Sequence, residues 1–336
     1  MDIFKYKERV DEFLYSYFTD ITKGKEGIEL ELLNNLRDFT MRGGKRLRPL
    51  FMILGYWLNS DEINNEVIKA SSSLELIQSY LLIHDDIIDE SNLRRGGPTY
   101  HKMFNYTPKI SHDLAIVAGD VANSLAYELL LSSKFPEKNL NKSAYYLTEI
   151  LKFTGIGQAI DVTLTLKKDK SASDVDLVHE YKTAHYTING PLKMGAALSE
   201  FPDVDRIDEY GIPLGKAFQI QDDILGLFGD EKVLGKPVTS DLEEGKITHL
   251  IVFALEMANE DERKELMKIH GKKGIAQEEL NLVREIVRKS GAYDRTIRLM
   301  NSYLDKSLEA IPKIAKDQER AKTLEDIAHY MVKRNF

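Results

Sequence analysis

The sequence predicts an all-α protein, one large helical domain of roughly ten or more helices spanning residues 1–336, and three observations predict it. Apolar residues recur at spacings of three and four along most of the chain, as in Ile28, Leu30, Leu32, Leu33 and Leu36, or Leu140, Tyr145, Leu147, Ile150 and Leu151, which is the period of one helix face. Alternating, strand-like runs are scarce. The breakers fall between helical stretches, at Gly43-Gly44, Gly96-Gly97-Pro98, Phe135-Pro136, Gly190-Pro191, Phe201-Pro202 and Gly235-Lys236-Pro237, with no linker or low-complexity run to mark a domain boundary.

Composition narrows the function classes. With 43% hydrophobic and 30% charged residues the chain can bury a large core. A net charge of -8 argues against nucleic acid as the main partner, because phosphate backbones call for a broad basic surface. There are no cysteines, which excludes disulfides and thiolate metal sites and leaves the redox compartment open, with the cytoplasm as the default expectation. The opening MDIFKYKERVDEF has acids in its first turns and no signal-like apolar core, and no apolar run is expected to reach the ~18 residues of a membrane span. Residues 259–292 read as polar surface helices and a loop, to which no chemistry is assigned.

The first candidate site is Ser79-Tyr80-Leu81-Leu82-Ile83-His84-Asp85-Asp86-Ile87-Ile88-Asp89-Glu90. Asp85 and Asp89 are one helical turn apart, so their carboxylates share a face about 6 Å apart and repel each other unless a cation or strong donors hold them. Hard oxygen ligands with room for water and phosphate suit magnesium better than zinc. A lone DDxxD is more often a solvated acidic face than a metal site. The second candidate, Phe218-Gln219-Ile220-Gln221-Asp222-Asp223-Ile224-Leu225-Gly226, sets another acidic pair in an apolar helix, 137 positions on (222 minus 85). Two such helices facing one cavity would hold metal ions that neutralise a departing diphosphate.

Three basic clusters interleave with these acids. Gly43-Gly44-Lys45-Arg46-Leu47-Arg48-Pro49 presents three cations in a glycine-opened turn, and Arg94-Arg95-Gly96-Gly97 follows the first acidic motif. Lys236 and Lys246 sit ten apart, each after a glycine, in a polar loop suited to closing over phosphate. Each cluster alone is ordinary surface charge, and arginines at a helix end also suit its negative terminus. Three of them around two acidic pairs, in an acidic protein, point to diphosphate binding.

Taken together these residues resemble the trans-isoprenyl diphosphate synthases, the farnesyl and geranylgeranyl diphosphate synthase family. GGKRLRP at 43–49 resembles the family's isopentenyl diphosphate motif, and DDIIDESNLRRG at 85–96 its first aspartate-rich motif. Gly157-Gln158 with Asp161, Tyr181-Lys182-Thr183, FQIQDDILGLFGD at 218–230 and GKPVTSDLEEGKIT at 235–248 follow in the family's order, so the resemblance spans nearly the whole chain.

The resemblance implies the isoprenoid synthase fold, helices around a central active-site cavity, and a homodimer. It implies that Asp85 and Asp89 bind two magnesium ions and Asp222 a third, with Asp86, Asp223 and Asp241 in support. Lys45, Arg48, Gln78 and Arg95 would bind isopentenyl diphosphate; Arg94, Lys182, Lys236 and Lys246 would hold the allylic diphosphate; Thr183 and Gln219 would face the nascent cation. Asp85, Asp86, Asp89, Arg94, Lys182, Asp222 and Asp223 are the catalytic set. Gln78 lies two helical turns before Asp85, on nearly the same face. Many members carry a third aspartate where this chain has Gly226, and restoring it is expected to change little.

The product expected is geranylgeranyl diphosphate, with a farnesyl or longer product as the alternative. A tail pinned at Asp85 and Asp89 would run back along the helix toward Tyr80, about 7 Å deeper, the position that sets chain length in the archaeal geranylgeranyl-type arrangement. At about 100° per residue Leu81 lies nearer the Asp85 face than Tyr80 does, so geometry alone would choose Leu81. Competing readings are a magnesium-dependent nucleotide pyrophosphohydrolase, a terpene cyclase, and a non-catalytic subunit of a hetero-oligomeric synthase, the last resting on Gly226 alone.

Overall fold

A computed structural model of the protein describes residues 1–229 and 238–333. Among these residues the chain is helical throughout except for short loops and one two-residue-per-strand hairpin, in agreement with the all-α expectation. The chain forms two compact units, one of Met1–Thr148 with Pro191–Val204 and one of Glu149–Gly190 with Asp205–Phe336.

The first unit begins with α1 (Lys7–Thr22), α2 (Gly27–Met41) and α3 (Leu47–Trp57). From Pro49 to Trp57 every residue of α3 is buried, as its unbroken apolar run requires. Next comes α4 (Asn65–Ile88), started by the Asn64 side chain, which accepts from the Val67 N–H at 3.0 Å. Beyond it lies a hairpin of β1 (Leu93–Arg94) and β2 (Gly97–Pro98). Its two-residue turn, Arg95 at φ 50° and Gly96 at φ 73°, has the positive φ at both positions that matches strand twist. The Gly96-Gly97-Pro98 breaker is therefore a hairpin as well as a helix end.

Helix α5 (Pro108–Leu131) is capped by Thr107, with Pro108 in its first turn. By length and composition it is apolar enough to cross a membrane, contrary to the expectation that no run would be. Its Ala115, Ala118, Ala122 and Ala126 are buried inside the unit, and Lys109, Asp113, Asp120 and Glu128 are spaced along it.

The long α6 (Glu137–Leu164) runs on into the second unit. There α7 (Ala172–Val178), opened by a Ser171–Asp174 capping box, continues into a π-helical segment, His179–Asn189, and then into α8 (Gly190–Leu198). Gly190-Pro191 was expected to separate helices and does not. The Gly190 N–H reaches back five residues to the His185 carbonyl, and this wider turn carries the chain into Pro191, which has no N–H to give.

Helix α9 (Asp208–Phe228) packs on the π segment. A Cβ at Gly215 would fall 2.4 Å from Ala184 Cα, so only glycine permits that approach. The remaining helices are α10 (Ser240–Glu243), α11 (His249–Met257), α12 (Glu260–Ile269), α13 (Gln277–Lys289), α14 (Ala292–Ile314) and α15 (Gln318–Val332). The 259–292 stretch is the pair of polar surface helices expected of it.

Candidate active site

In the first unit the acidic motif occupies the last turn of α4. Asp85 is half-buried, Asp86 is 0% exposed and Asp89, the C-cap, is exposed, its N–H bonded to the Asp85 carbonyl at 2.8 Å. Adjacent helical residues point about 100° apart, so one aspartate of the pair turns inward while its neighbour stays at the surface. The inward one is met by Arg94 of β1, whose Nε and Nη2 lie 2.6 and 2.5 Å from Asp86 Oδ1; Nη2 is 3.7 Å from Asp85 Oδ2. Burial pushes the Asp86 carboxyl up, with Arg94 pulling the other way, and Arg94 is itself raised by this pair against the effect of its own burial.

The predicted isopentenyl diphosphate ligands gather beside it in the same unit. Arg48 Nη1 donates to Gln78 Oε1 at 2.5 Å, and Arg95, at the tip of the hairpin, donates to the Gly43 carbonyl at 2.9 Å. Lys45 is exposed on the turn between. A cleft there is lined by Phe39, Arg42, Gln78, Ser79, Leu82, Arg94 and Arg95. Arg42 is a cation that sequence reasoning missed, because it stands outside GGKRLRP; it donates to the Pro98 carbonyl of β2 and to Asp38.

Tyr80 is half-buried with its ring edge-on to the His84 ring at 4.9 Å, and burial together with Asp120 of α5 raises its hydroxyl pKa. It therefore sits on the α5 side of α4. Leu81, its half-buried neighbour, is the geometrical alternative.

The second unit repeats the division of labour. Asp222 is half-buried and Asp223 is 3% exposed, enclosed by Lys246 Nζ and Gln219 Nε2, both 2.9 Å from Oδ1, and by His179 Nε2, 3.0 Å from Oδ2. Burial would raise this carboxyl and lowers the His179 imidazole, but the Lys246 ammonium and the hydrogen bonds from Lys246 and His179 outweigh it and hold the carboxyl below the usual range. Lys246 is raised in turn, burial opposing and Asp223 and Asp241 prevailing; its Nζ is 3.6 Å from Asp241 Oδ2. Thr183 donates to Gln219 Oε1 at 2.8 Å, so the two side chains predicted to face a carbocation form one chain with Asp223.

Lys182 pairs with Asp161 at 2.7 Å. Both helices approach closely because Gly157 leaves room, where a Cβ would stand 2.5 Å from Lys182 N. Lys236 lies outside the described residues. His179 is a second residue the sequence did not reveal: it precedes Lys182 by three positions and carries no motif signature, and its ring packs 5.0 Å from that of His249, which faces Asp176. A cavity of about 710 Å³ is rimmed by Phe228, Asn281, Arg284, Glu285, Arg288 and Lys289 and shares no residue with either acidic pair.

A hard divalent cation fits this donor set. Among the described residues no three His, Asp or Glu side chains converge as they would on a metal held by protein alone. One or two carboxylates on a helix face, with water and phosphate completing the shell, are the ligands magnesium takes.

Residues 30–287 match the family model described as polyprenyl synthetase. The chain belongs to that family. Members similar to it include the short chain isoprenyl diphosphate synthase of Methanocaldococcus jannaschii, 33% identical over 335 residues, with 98% of this chain and 94% of the relative covered. The geranylgeranyl diphosphate synthase of Saccharolobus solfataricus is 35% identical over 306 residues, 87% of each chain. Among solved structures, the geranylgeranyl pyrophosphate synthase of Corynebacterium glutamicum, complexed with isoprenyl diphosphate and magnesium, superposes with a TM-score of 0.91 at 30% identity over 100% of both chains. This polyprenyl synthetase is accordingly an enzyme, a trans-prenyl diphosphate synthase.

Proposed function

We propose that the enzyme joins isopentenyl diphosphate head-to-tail to allylic diphosphates with magnesium, and that its product is geranylgeranyl diphosphate. The observation that carries this reading is the repeated asymmetry of the acidic pairs. In each, the second aspartate is buried on a cation, Asp86 on Arg94 and Asp223 on Lys246, while the first, Asp85 or Asp222, remains accessible. A pair of merely solvated acids would have no buried member.

Asp85, Asp89 and Asp222 are the proposed magnesium ligands, for three ions in all. Bound there, magnesium would neutralise charge developing on the departing diphosphate. Arg94, Lys182, Lys236 and Lys246 hold the allylic diphosphate, whose carbon–oxygen bond breaks with the electron pair leaving on the diphosphate. Lys45, Arg48, Gln78 and Arg95 position isopentenyl diphosphate so that its double bond forms the new carbon–carbon bond to the allylic cation. Thr183 and Gln219 face that cation. The proton lost from the adduct goes to the departed diphosphate, since none of these side chains is an evident base, and water must be excluded for the cation to survive. Tyr80 ends elongation at twenty carbons.

The reading extends to a cytoplasmic homodimer, in which the outward Ile110, Ile116, Val117 and Leu131 of α5, all at least 45% exposed, would be covered. Gly226, the ground for a non-catalytic subunit, has a local explanation: a Cβ there would meet Asp241 Oδ2 at 2.5 Å.

The test is removal of the accessible aspartates. Asp85→Ala and Asp222→Ala should each lower kcat by about a thousandfold or more, with circular dichroism and melting temperature unchanged. Condensation at the native rate by a folded Asp85→Ala enzyme would refute the assignment.

A further inference from the structure

Of the three cations in GGKRLRP, one is buried. Arg46 is 3% exposed and adopts φ 52°, ψ 36°, the left-handed region, one residue beyond the pair Gly43 at φ 89° and Gly44 at φ 123°. A residue with a Cβ is strained there and stays only where its surroundings hold it. Three elements do so. The Arg46 Nε lies 2.7 Å from Asp11 Oδ1 of α1, and Nη1 lies 2.5 Å from Glu75 Oε2 of α4 and 2.9 Å from the Thr40 carbonyl of α2. Thr40 Oγ1 is in turn 2.7 Å from Ser79 Oγ, next to Gln78.

A buried ion pair is weak support for overall stability, because desolvating both charges offsets most of their attraction, but a planar guanidinium held at Nε and Nη1 by three different partners fixes direction well. Here the direction fixed is that of the two flanking cations. With Arg46 anchored inward, Lys45 is exposed and Arg48 reaches Gln78, one turn beyond Glu75 on α4. We infer that Arg46 and Asp11 are positioning residues for isopentenyl diphosphate, locking the left-handed turn so that Lys45 and Arg48 meet the substrate, with α1 thereby part of that site. The inference rests on the reading of Lys45 and Arg48 as isopentenyl diphosphate ligands. Asp11 suits the role chemically. Burial would raise its carboxyl, but hydrogen bonds from Lys7 and Arg46 outweigh burial and keep it below the usual carboxylate range, so it is ionised at neutral pH.

The test is steady-state kinetics of Asp11→Asn, Arg46→Lys and Lys45→Ala, with melting temperatures. Asp11→Asn keeps the Glu75 anchor and serves where Arg46→Lys fails to fold. It should raise KM for isopentenyl diphosphate about tenfold, the scale of a sub-ångström misplacement, while kcat and the allylic KM stay within about twofold. An unchanged KM for isopentenyl diphosphate, or a uniform fall of every parameter with melting temperature, overturns the inference. If Lys45→Ala raises that KM and Asp11→Asn does not, only the positioning role fails. If Lys45→Ala leaves it unchanged, the ligand reading fails and the positioning role with it.

Discussion

A side chain at position 226 would point straight at Asp241, whose carboxylate tip lies 2.5 Å from where a Cβ would be and 3.6 Å from Lys246. From sequence, Gly226→Asp looked neutral, because the proposed ligand is Asp222; the structure changes that expectation. Gly226→Ala displaces only the end of a flexible side chain and should keep kcat within about threefold, whereas Gly226→Asp sets like charges together in a buried place and should lose about tenfold or more. Steady-state rates of the two variants decide it, and an aspartate variant faster than the native enzyme would mean that the native second motif is defective. Tyr80 is the other single residue with a sharp consequence. Its ring lies on the α5 side of α4 against His84 and near Asp120, where it would block a product tail growing along that side. Tyr80→Ala should lengthen the product by one or more five-carbon units; an unchanged product from that variant, with a longer one from Leu81→Ala, would transfer the role to Leu81.

Among the elements, the π-helical segment does most to set the candidate site of the second unit. It carries His179, Lys182 and Thr183, and it is pressed on one side by α9 at Gly215 and on the other by α6 at Gly157. A methyl at Gly157 meets backbone, Lys182 N at 2.5 Å and Tyr181 C at 2.8 Å, which cannot rotate away. Gly157→Ala should therefore shift the segment and lower kcat by about a hundredfold, as displacements near 1 Å do, in a protein that remains helical by circular dichroism. Native turnover would show that Lys182 does not depend on this contact. These elements also mark what sequence could and could not reveal. Helix existence and the Asp85–Asp89 turn follow from period and motif, while the grouping of Arg48 with Gln78 follows only from the family resemblance. A π turn gives no distinct apolar period, a two-residue strand is too short to alternate, and adjacent aspartates look alike until the hairpin brings Arg94 onto one of them. His179 stayed hidden because its partner, Asp223, is 44 positions away (223 minus 179).

For the whole molecule, an acidic chain with local basic clusters and no broad basic surface is well suited to small anionic substrates rather than polyanions. The family, the fold and the class of reaction rest on the full length of the chain; the product rests on the neighbourhood of Tyr80. The central claim is magnesium-dependent elongation to twenty carbons. Its most direct test is incubation of the purified enzyme with labelled isopentenyl diphosphate and dimethylallyl, geranyl or farnesyl diphosphate, with magnesium or with chelator, followed by chain-length analysis. The account predicts a twenty-carbon diphosphate from every allylic starter with magnesium and none with chelator. Condensation undiminished by the chelator, or no condensation by the folded enzyme with any starter, would contradict it.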